Sequence, residues 1–382
     1  MRIAEPVDKH RARGLLAQLF ALPVATLPHV TGQEKIVLYG AGNLGLLAHE
    51  FLAHVGITPI AVLDANASKG ARLADEIPVY RPEEYTPDDS AIVLVTIGNA
   101  AYGPIAETLH ARGWKQVLPF YDYAEHFRDA HPLNNGWFAG VLSEHDCAEI
   151  IASMDGWADD GSRAAYSQFL AWRIARAEWV FDVAPINPAD RFFISEVAVH
   201  LTCDEVFVDA GAYDGRVTAE LLKRMGGLRE AHLIEPDAAN TSALAAMLDA
   251  LPADMRARVN VHHIALGDGS GNAGFSSGFG MASRLGGPEA TVVETTTLDA
   301  LNLAPTFVKL HLEGGELPAL RGALSTLTTH RPLLALTVYH NRDGLWQTAH
   351  WLRTHLPRYR FYFRAHSWCG TGAVIYAVPE ER

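Results

Sequence analysis

The sequence predicts an α/β protein built from two doubly wound sheets, one in each half, joined by a helical connector. Three observations predict it. Short apolar, β-rich runs alternate with helical patterns from residue 35 to about 120, and again beyond 200. Each series opens on a strand entering a glycine turn and then a helix: KIVLYGAGNLG in the first, VFVDAGAYDGRVTAELL in the second. Between them the alternation stops, and WADDGSRAAYSQFLAWRIARAEW reads as a helix rich in aromatics and arginine. The expected division is 1–121, 122–190 and 191–382.

In chain order, Leu15 to Val24 is an apolar stretch broken by Pro23, too short to span a membrane and without a signal-type cleavage pattern. It is expected to be a helix packing on the first domain. TPIAVLDAN, AIVLVTIGN and KQVLPF supply further strands of the front sheet, with helices LLAHEFLAHVG and PIAETLHARGW between them. In the connector, Trp157, Tyr166, Phe169, Trp172 and Trp179 are expected to be packing residues. The last third adds HLIEP, VNVHHIALGD, VETTTLDAL, FVKLHLEG and LLALTVYH. YRFYFRAHS and GAVIYAVP follow with no helix between them, so they should form an antiparallel hairpin closing a seven-stranded sheet at one edge. The glycine-rich stretch 274–289 is expected to be a mobile lid.

With 382 residues, 49% hydrophobic and 20% charged, two or three globular domains are expected. A net charge of −13 argues against general electrostatic binding of nucleic acid. The three cysteines, Cys147, Cys203 and Cys369, are widely spaced, so neither a disulfide framework nor a structural zinc is expected, and a reducing cytoplasm is the simplest setting. Charge and hydropathy together argue against nucleic acid and membrane partners, and a homodimer is compatible with two such sheets.

The loop after VFVDAG combines Asp209, Gly211, Ala212, Tyr213, Asp214 and Gly215, and Glu235 ends the next apolar run. Glycines admit a ligand to the backbone, a helix start offers N–H donors, and a carboxylate one strand later can take both ribose hydroxyls. Carboxylates in the turn would repel a pyrophosphate but suit a sulfonium, so S-adenosylmethionine is the expected ligand. Ala265, Leu266, Gly267 and Asp268 end the following strand, where open α/β sheets bind ligands. In the front half, Gly40, Gly42, Asn43 and Gly45 form G-x-G-x-x-G, and Asp64 ends the next strand. They could bind NAD or a nucleotide-sugar, or persist only for helix–sheet packing.

The ordered blocks VDAGAYDGRVT, IEPD, ALGDGSG, TTLD, VKLHLEGGE and TVYHNRDGLW resemble the FkbM-type methyltransferases over roughly residues 190–380. The resemblance implies methyl transfer from S-adenosylmethionine to a hydroxyl, with cofactor contacts from Asp209 through Gly215, at Glu235, and from Ala265 to Asp268. One block departs from the family: its usual V-K-I-D-V-E-G-A-E pattern has His311 at the aspartate. Strand alternation places Lys309, His311 and Glu313 on one face. A neutral imidazole accepts a proton at pH 7, so His311, with Glu313 or His340, is the candidate base. His311, Glu313, His340 and His366 could also converge on a cation, but their spacing is not diagnostic and no metal is expected. The expected enzyme is an O-methyltransferase acting on a sugar or glycan precursor. The rivals are an oxidoreductase or epimerase centred on the front domain, which lacks Y-x-x-x-K, and a non-catalytic nucleotide-binding assembly protein.

Overall fold

A computed structural model describes residues 1–133, 138–287 and 290–382. Its C-terminal part is a seven-stranded sheet of β1 (Val206–Ala210), β2 (Glu230–Ile234), β3 (Val259–His262), β4 (Phe307–Leu310), β5 (Leu333–Thr337), β6 (Tyr359–Ala365) and β7 (Ala373–Pro379). The order is β3-β2-β1-β4-β5-β7-β6. All pairs are parallel except β5–β7 and β6–β7, so the closing hairpin is reversed as the sequence predicts. Alternating residues serve the two faces. Val208, Val308 and Leu334 pack toward the connector, whereas Phe207, Phe307 and Leu333 pack on the other side.

The order reverses between β1 and β4, which opens a crevice at their carboxyl ends. Register brings Ala210 opposite Leu310, and the next amide, His311 N–H, donates to the Ala210 carbonyl at 3.0 Å. The glycine turn after β1 therefore lies against the residues after β4. A Cβ on Gly211, whose φ is +73°, would stand 1.9 Å from the His311 carbonyl oxygen. Only glycine fits this approach.

The front sheet has six strands in the order 72–73, 77–80, 61–63, 35–39, 91–95, 116–119, parallel except at the first pair. The sequence reading missed 72–73 and 77–80, because the run IPVY carries a proline that demotes a strand.

The N-terminal helix, Lys9–Phe20, departs from expectation. Its Ala12, Leu15, Leu16 and Leu19 pack against the helices Glu144–Gly156 and Asp160–Ala175, not the front sheet. Arg2–Ile3 pairs in parallel with Val180–Phe181, which fixes the start of the chain to the connector. The helix Asp160–Ala175 in turn covers β6, with Trp157, Tyr166 and Phe169 buried around Phe363. Trp172 joins the front-domain core, and Trp179 is likewise buried. All five aromatics are packing residues.

A second, four-stranded sheet formed by 265–266, 291–296, 271–276 and 284–285 covers the crevice. Its strands take up 274–276 and 284–285 of the stretch read as a lid; Pro288 and Glu289 of that stretch lie outside the described residues. Asp237 anchors this cover by accepting the Gly278 N–H and the Ser283 hydroxyl. Phe279 packs edge-on against His54 and His131 of the front half, with ring centroids at 4.8 and 5.0 Å. These contacts tie the tip of the stretch to the main sheet and to the front half.

Candidate active site

A cavity of about 550 Å³ occupies the crevice between β1, β4 and the small sheet. That size suits a cofactor-type ligand. Gly211, Ala212, Tyr213, Asp214, Glu235, Ala265, Leu266, His311 and Glu313 line it, so the structure brings together most of the residues expected there. Asp209, Gly215, Gly267, Asp268 and His340 stand outside the lining.

Asp209 is fully buried at the end of β1. Its carboxylate accepts from Lys309 Nζ and Thr218 Oγ1, each at 2.8 Å, and Lys309 also donates to the Gly211 carbonyl at 2.7 Å. Asp209 thus shapes the glycine turn through Lys309 and does not face the cavity. Asp214 is bound by the Arg216 guanidinium. Each loop carboxylate thus has a cationic partner within the protein, Lys309 for the buried Asp209 and the largely exposed Arg216 for Asp214.

Glu235 is 5% exposed and borders the cavity. It accepts the N–H groups of Tyr213 and Asp237 at 2.9 Å, together with the Asn240 amide. Burial pushes its carboxyl up, against those hydrogen bonds. Oε1 already accepts from Asp237 and Asn240, whereas Oε2 accepts only from Tyr213 and keeps an acceptor site for a ligand hydroxyl. Ile264, Leu266 and Phe275 supply an apolar wall beside it.

At the other side of the cavity stand His311 and Glu313. β4 ends at Leu310, so the three residues after it leave the strand's alternation, and Glu313 adopts a left-handed φ of +49°. Tyr213, on the facing turn, is also left-handed at +54°. Strained non-glycine backbone concentrates at functional sites because it must be over-determined by its surroundings. Here the over-determination is visible: Glu316 accepts the Leu312 and Gly314 N–H groups at 3.0 Å, and Asn341 donates to the Gly314 carbonyl.

Glu313 Oε1 lies 3.0 Å from His311 Nε2 and 3.2 Å from His340 Nε2. Glu316 Oε1 lies 3.0 Å from His340 Nδ1 and also accepts from Thr337. His340 sits after β5, where the buried Arg173 of the connector holds the Tyr339 and Asn341 carbonyls at 2.8 and 3.0 Å. The connector therefore positions this corner of the site.

Burial drives the His311 imidazole down to about 4, although Glu313 pulls the other way, so His311 is neutral at pH 7. Burial opposes ionisation of Glu313, but His340 and His311 outweigh it and hold that carboxyl below the ordinary range. Burial likewise opposes charge on His340, and Glu313 and Glu316 overcome it, raising His340 well above an ordinary histidine. The cluster is a neutral His311 hydrogen-bonded to an ionised Glu313, with a charged His340 between two carboxylates. His311, Glu313 and His340 also place ligand-type atoms within 4.8 Å of one another, the arrangement a cation would need. His366 is elsewhere, against Tyr376, Asn187 and Asp190.

The sequence reading passed over Arg191, Phe192, Asn240, Met281 and Arg284, which also line the cavity. They lie outside the strand-end blocks, where spacing carries no signal.

In the front half the glycine turn satisfies itself. Asp64 accepts the Ala41 and Asn66 N–H groups at 2.8 Å, so the carboxylate expected at a ribose closes its own turn. Gly42 caps the helix that Asn43 begins, and a Cβ on Gly45 would stand 2.3 Å from the Gly40 carbonyl oxygen. Next to it, Trp368 N–H and Ser367 Oγ from the β6–β7 turn donate to the Gly98 carbonyl at 2.8 and 2.7 Å. Glu178 of the connector accepts the Tyr102 and Gly103 N–H groups at the start of the helix Tyr102–Ala111. The carboxyl edge of this sheet thus docks the rest of the chain.

Residues 209–363 match the methyltransferase FkbM domain. The match identifies an FkbM-type methyltransferase domain at residues 209–363. The crystal structure of methyltransferase FkbM from Methylobacillus flagellatus KT superposes with a TM-score of 0.64 at 19% identity, covering 98% of this chain and all of the other. The shared fold therefore extends over the front half as well. A precorrin-6y C5,15-methyltransferase from Geobacter metallireducens GS-15 is 17% identical, covering 49% of this chain and 86% of its own, at a TM-score of 0.31. No curated protein matches the sequence. Methyl transfer is the reaction this family performs, and the family implies S-adenosylmethionine as donor. No described helix is long and apolar enough to cross a membrane, and the three cysteines are unbridged.

Proposed function

We propose that the chain is an S-adenosylmethionine-dependent O-methyltransferase for a small hydroxylated acceptor, of the sugar or glycan-precursor class. The observation that carries this reading is the His311–Glu313 pair, placed at the end of β4 against the glycine turn. Bound S-adenosylmethionine would supply an electrophilic methyl group on a sulfonium. Glu235 and Asn240 suit its ribose, and Ile264, Leu266 and Phe275 its base.

The acceptor's hydroxyl must lose a proton as its oxygen takes the methyl group. With Nε2–H donated to Glu313, His311 offers Nδ1, which has no partner within the described protein, as the proton acceptor. Glu313 fixes that tautomer and stabilises the imidazolium that forms. The oxygen–carbon bond forms as the carbon–sulfur bond breaks, and the proton leaves on His311. Tyr339 and Phe192 flank the imidazole and exclude water from one side. The front sheet acts as a scaffold for the cover and the β6–β7 turn, in a reducing cytoplasm.

Transfer of labelled methyl groups from S-adenosylmethionine onto a panel of hydroxylated acceptors tests the reading. Product is expected with a strong chelator present. Loss on chelation, restored by a divalent ion, would recast His311, Glu313 and His340 as ligands and remove the base.

A further inference from the structure

Two guanidinium groups lining the cavity, those of Arg284 and Arg191, make no ion pair with a carboxylate among the described residues. Arg284, on the small sheet, makes no side-chain hydrogen bond or ion pair among the described residues, and its Nε is buried without a partner. Burial lowers its pKa, and the Glu313 carboxylate pulls the other way without forming an ion pair with it. Among the described residues Arg191 has a single neutral partner, the Tyr339 hydroxyl at 3.1 Å, and its Nε is likewise buried and unpartnered. That same hydroxyl lies 3.4 Å from His311 Nε2. Phe192 and Tyr339 stack against the Arg191 guanidinium at 4.9 and 5.8 Å, which holds it in place before any ligand arrives.

The other charges lining the cavity are matched. Arg216 has Asp214, Lys309 has Asp209, and Glu313 has His311 and His340. Glu235, at the far side, is satisfied by N–H donors. Leaving a guanidinium half-sequestered and unpaired is costly, whereas planar forks of this kind bind carboxylate or phosphate oxygens strongly.

We propose that Arg284 and Arg191 form an anion subsite, and that the methyl acceptor carries a carboxylate or phosphate group which they bind while its hydroxyl meets His311. The substrate class is thereby narrowed from hydroxylated compounds to acidic ones such as sugar acids or sugar phosphates. This rests on the methyltransferase reading, and the alternative source of the anion is the donor's own α-carboxylate.

Calorimetric titration separates these. Inorganic phosphate and glucose 6-phosphate, with glucose as the neutral control, are titrated into wild type, Arg284→Gln and Arg191→Gln, with and without S-adenosylhomocysteine. The cofactor product and 5′-methylthioadenosine, which lacks the carboxylate, are titrated in parallel. Wild type is expected to bind the phosphates and not glucose, and each variant to lose about 10- to 100-fold in phosphate affinity, as for a lost charged hydrogen bond. S-adenosylhomocysteine affinity should not change. Absence of phosphate binding, or equal binding in the variants, would overturn the subsite. So would variants that weaken S-adenosylhomocysteine but not methylthioadenosine, because the anion would then be the donor's. Phosphate binding without S-adenosylhomocysteine binding would sink the methyl-donor reading and leave the subsite standing.

Discussion

His311→Ala is expected to keep its fold and its affinity for S-adenosylhomocysteine while turnover falls by about 10²- to 10⁴-fold, the usual contribution of a general base. Its imidazole is neutral because burial holds it near 4 rather than the ordinary 6.5. Wild-type kcat/KM should therefore hold steady as pH falls through 6.5 and drop only near 4. An acid limb near 6.5 would show a histidine that is not buried against Glu313. Unchanged turnover in His311→Ala, with altered acceptor KM, would reduce His311 to a lining residue. Glu313→Gln should lower turnover less, because the imidazole remains but its charged form loses its counter-ion.

His340→Ala is expected to destabilise the protein by about 3–5 kcal/mol, the range for removing one member of a buried charge cluster. His340 is 1% exposed and lies between Glu313 and Glu316, so its loss leaves two facing buried carboxylates. Its folded pKa is raised above 6.5, so its contribution is complete below 6.5 and fades as pH rises through the folded value. Glu313 and Glu316 are lowered from 4.5, so theirs is present above 4.5 and lost as pH falls through their folded values. The gap between wild type and His340→Ala should be widest between about pH 4.5 and 6.5. Denaturant unfolding across pH measures it. A gap that does not vary with pH would mean that His340 is neutral and only fills space.

Much of this architecture is legible in the chain. Each strand of the main sheet is a short apolar run, and the missing helix before GAVIYAVP predicts the reversed hairpin because only antiparallel strands tolerate so short a link. The glycine turn, Glu235 and His311 are legible because they sit at strand ends, where spacing is informative. The small sheet is not: GNAGFS has the composition of a loop and becomes a strand only by pairing with Thr291–Thr296. The partner of the N-terminal helix is equally hidden, since an apolar face does not specify what covers it. Arg191 and Arg284 carry no pattern because one comes from the connector's end and the other from the small sheet, and only the fold brings both to the cavity. Asp209 teaches the reverse lesson: it occupies the expected motif position, yet it is fully buried and spends its oxygens on Lys309 and Thr218.

Calorimetric titration of the full chain with S-adenosylhomocysteine, NAD and a nucleotide-sugar tests the central claim most directly. One S-adenosylhomocysteine should bind per chain, weakened about 10- to 100-fold by Glu235→Gln, with no heat from the other two. Binding of NAD alone would contradict the account and return the chemistry to the front domain.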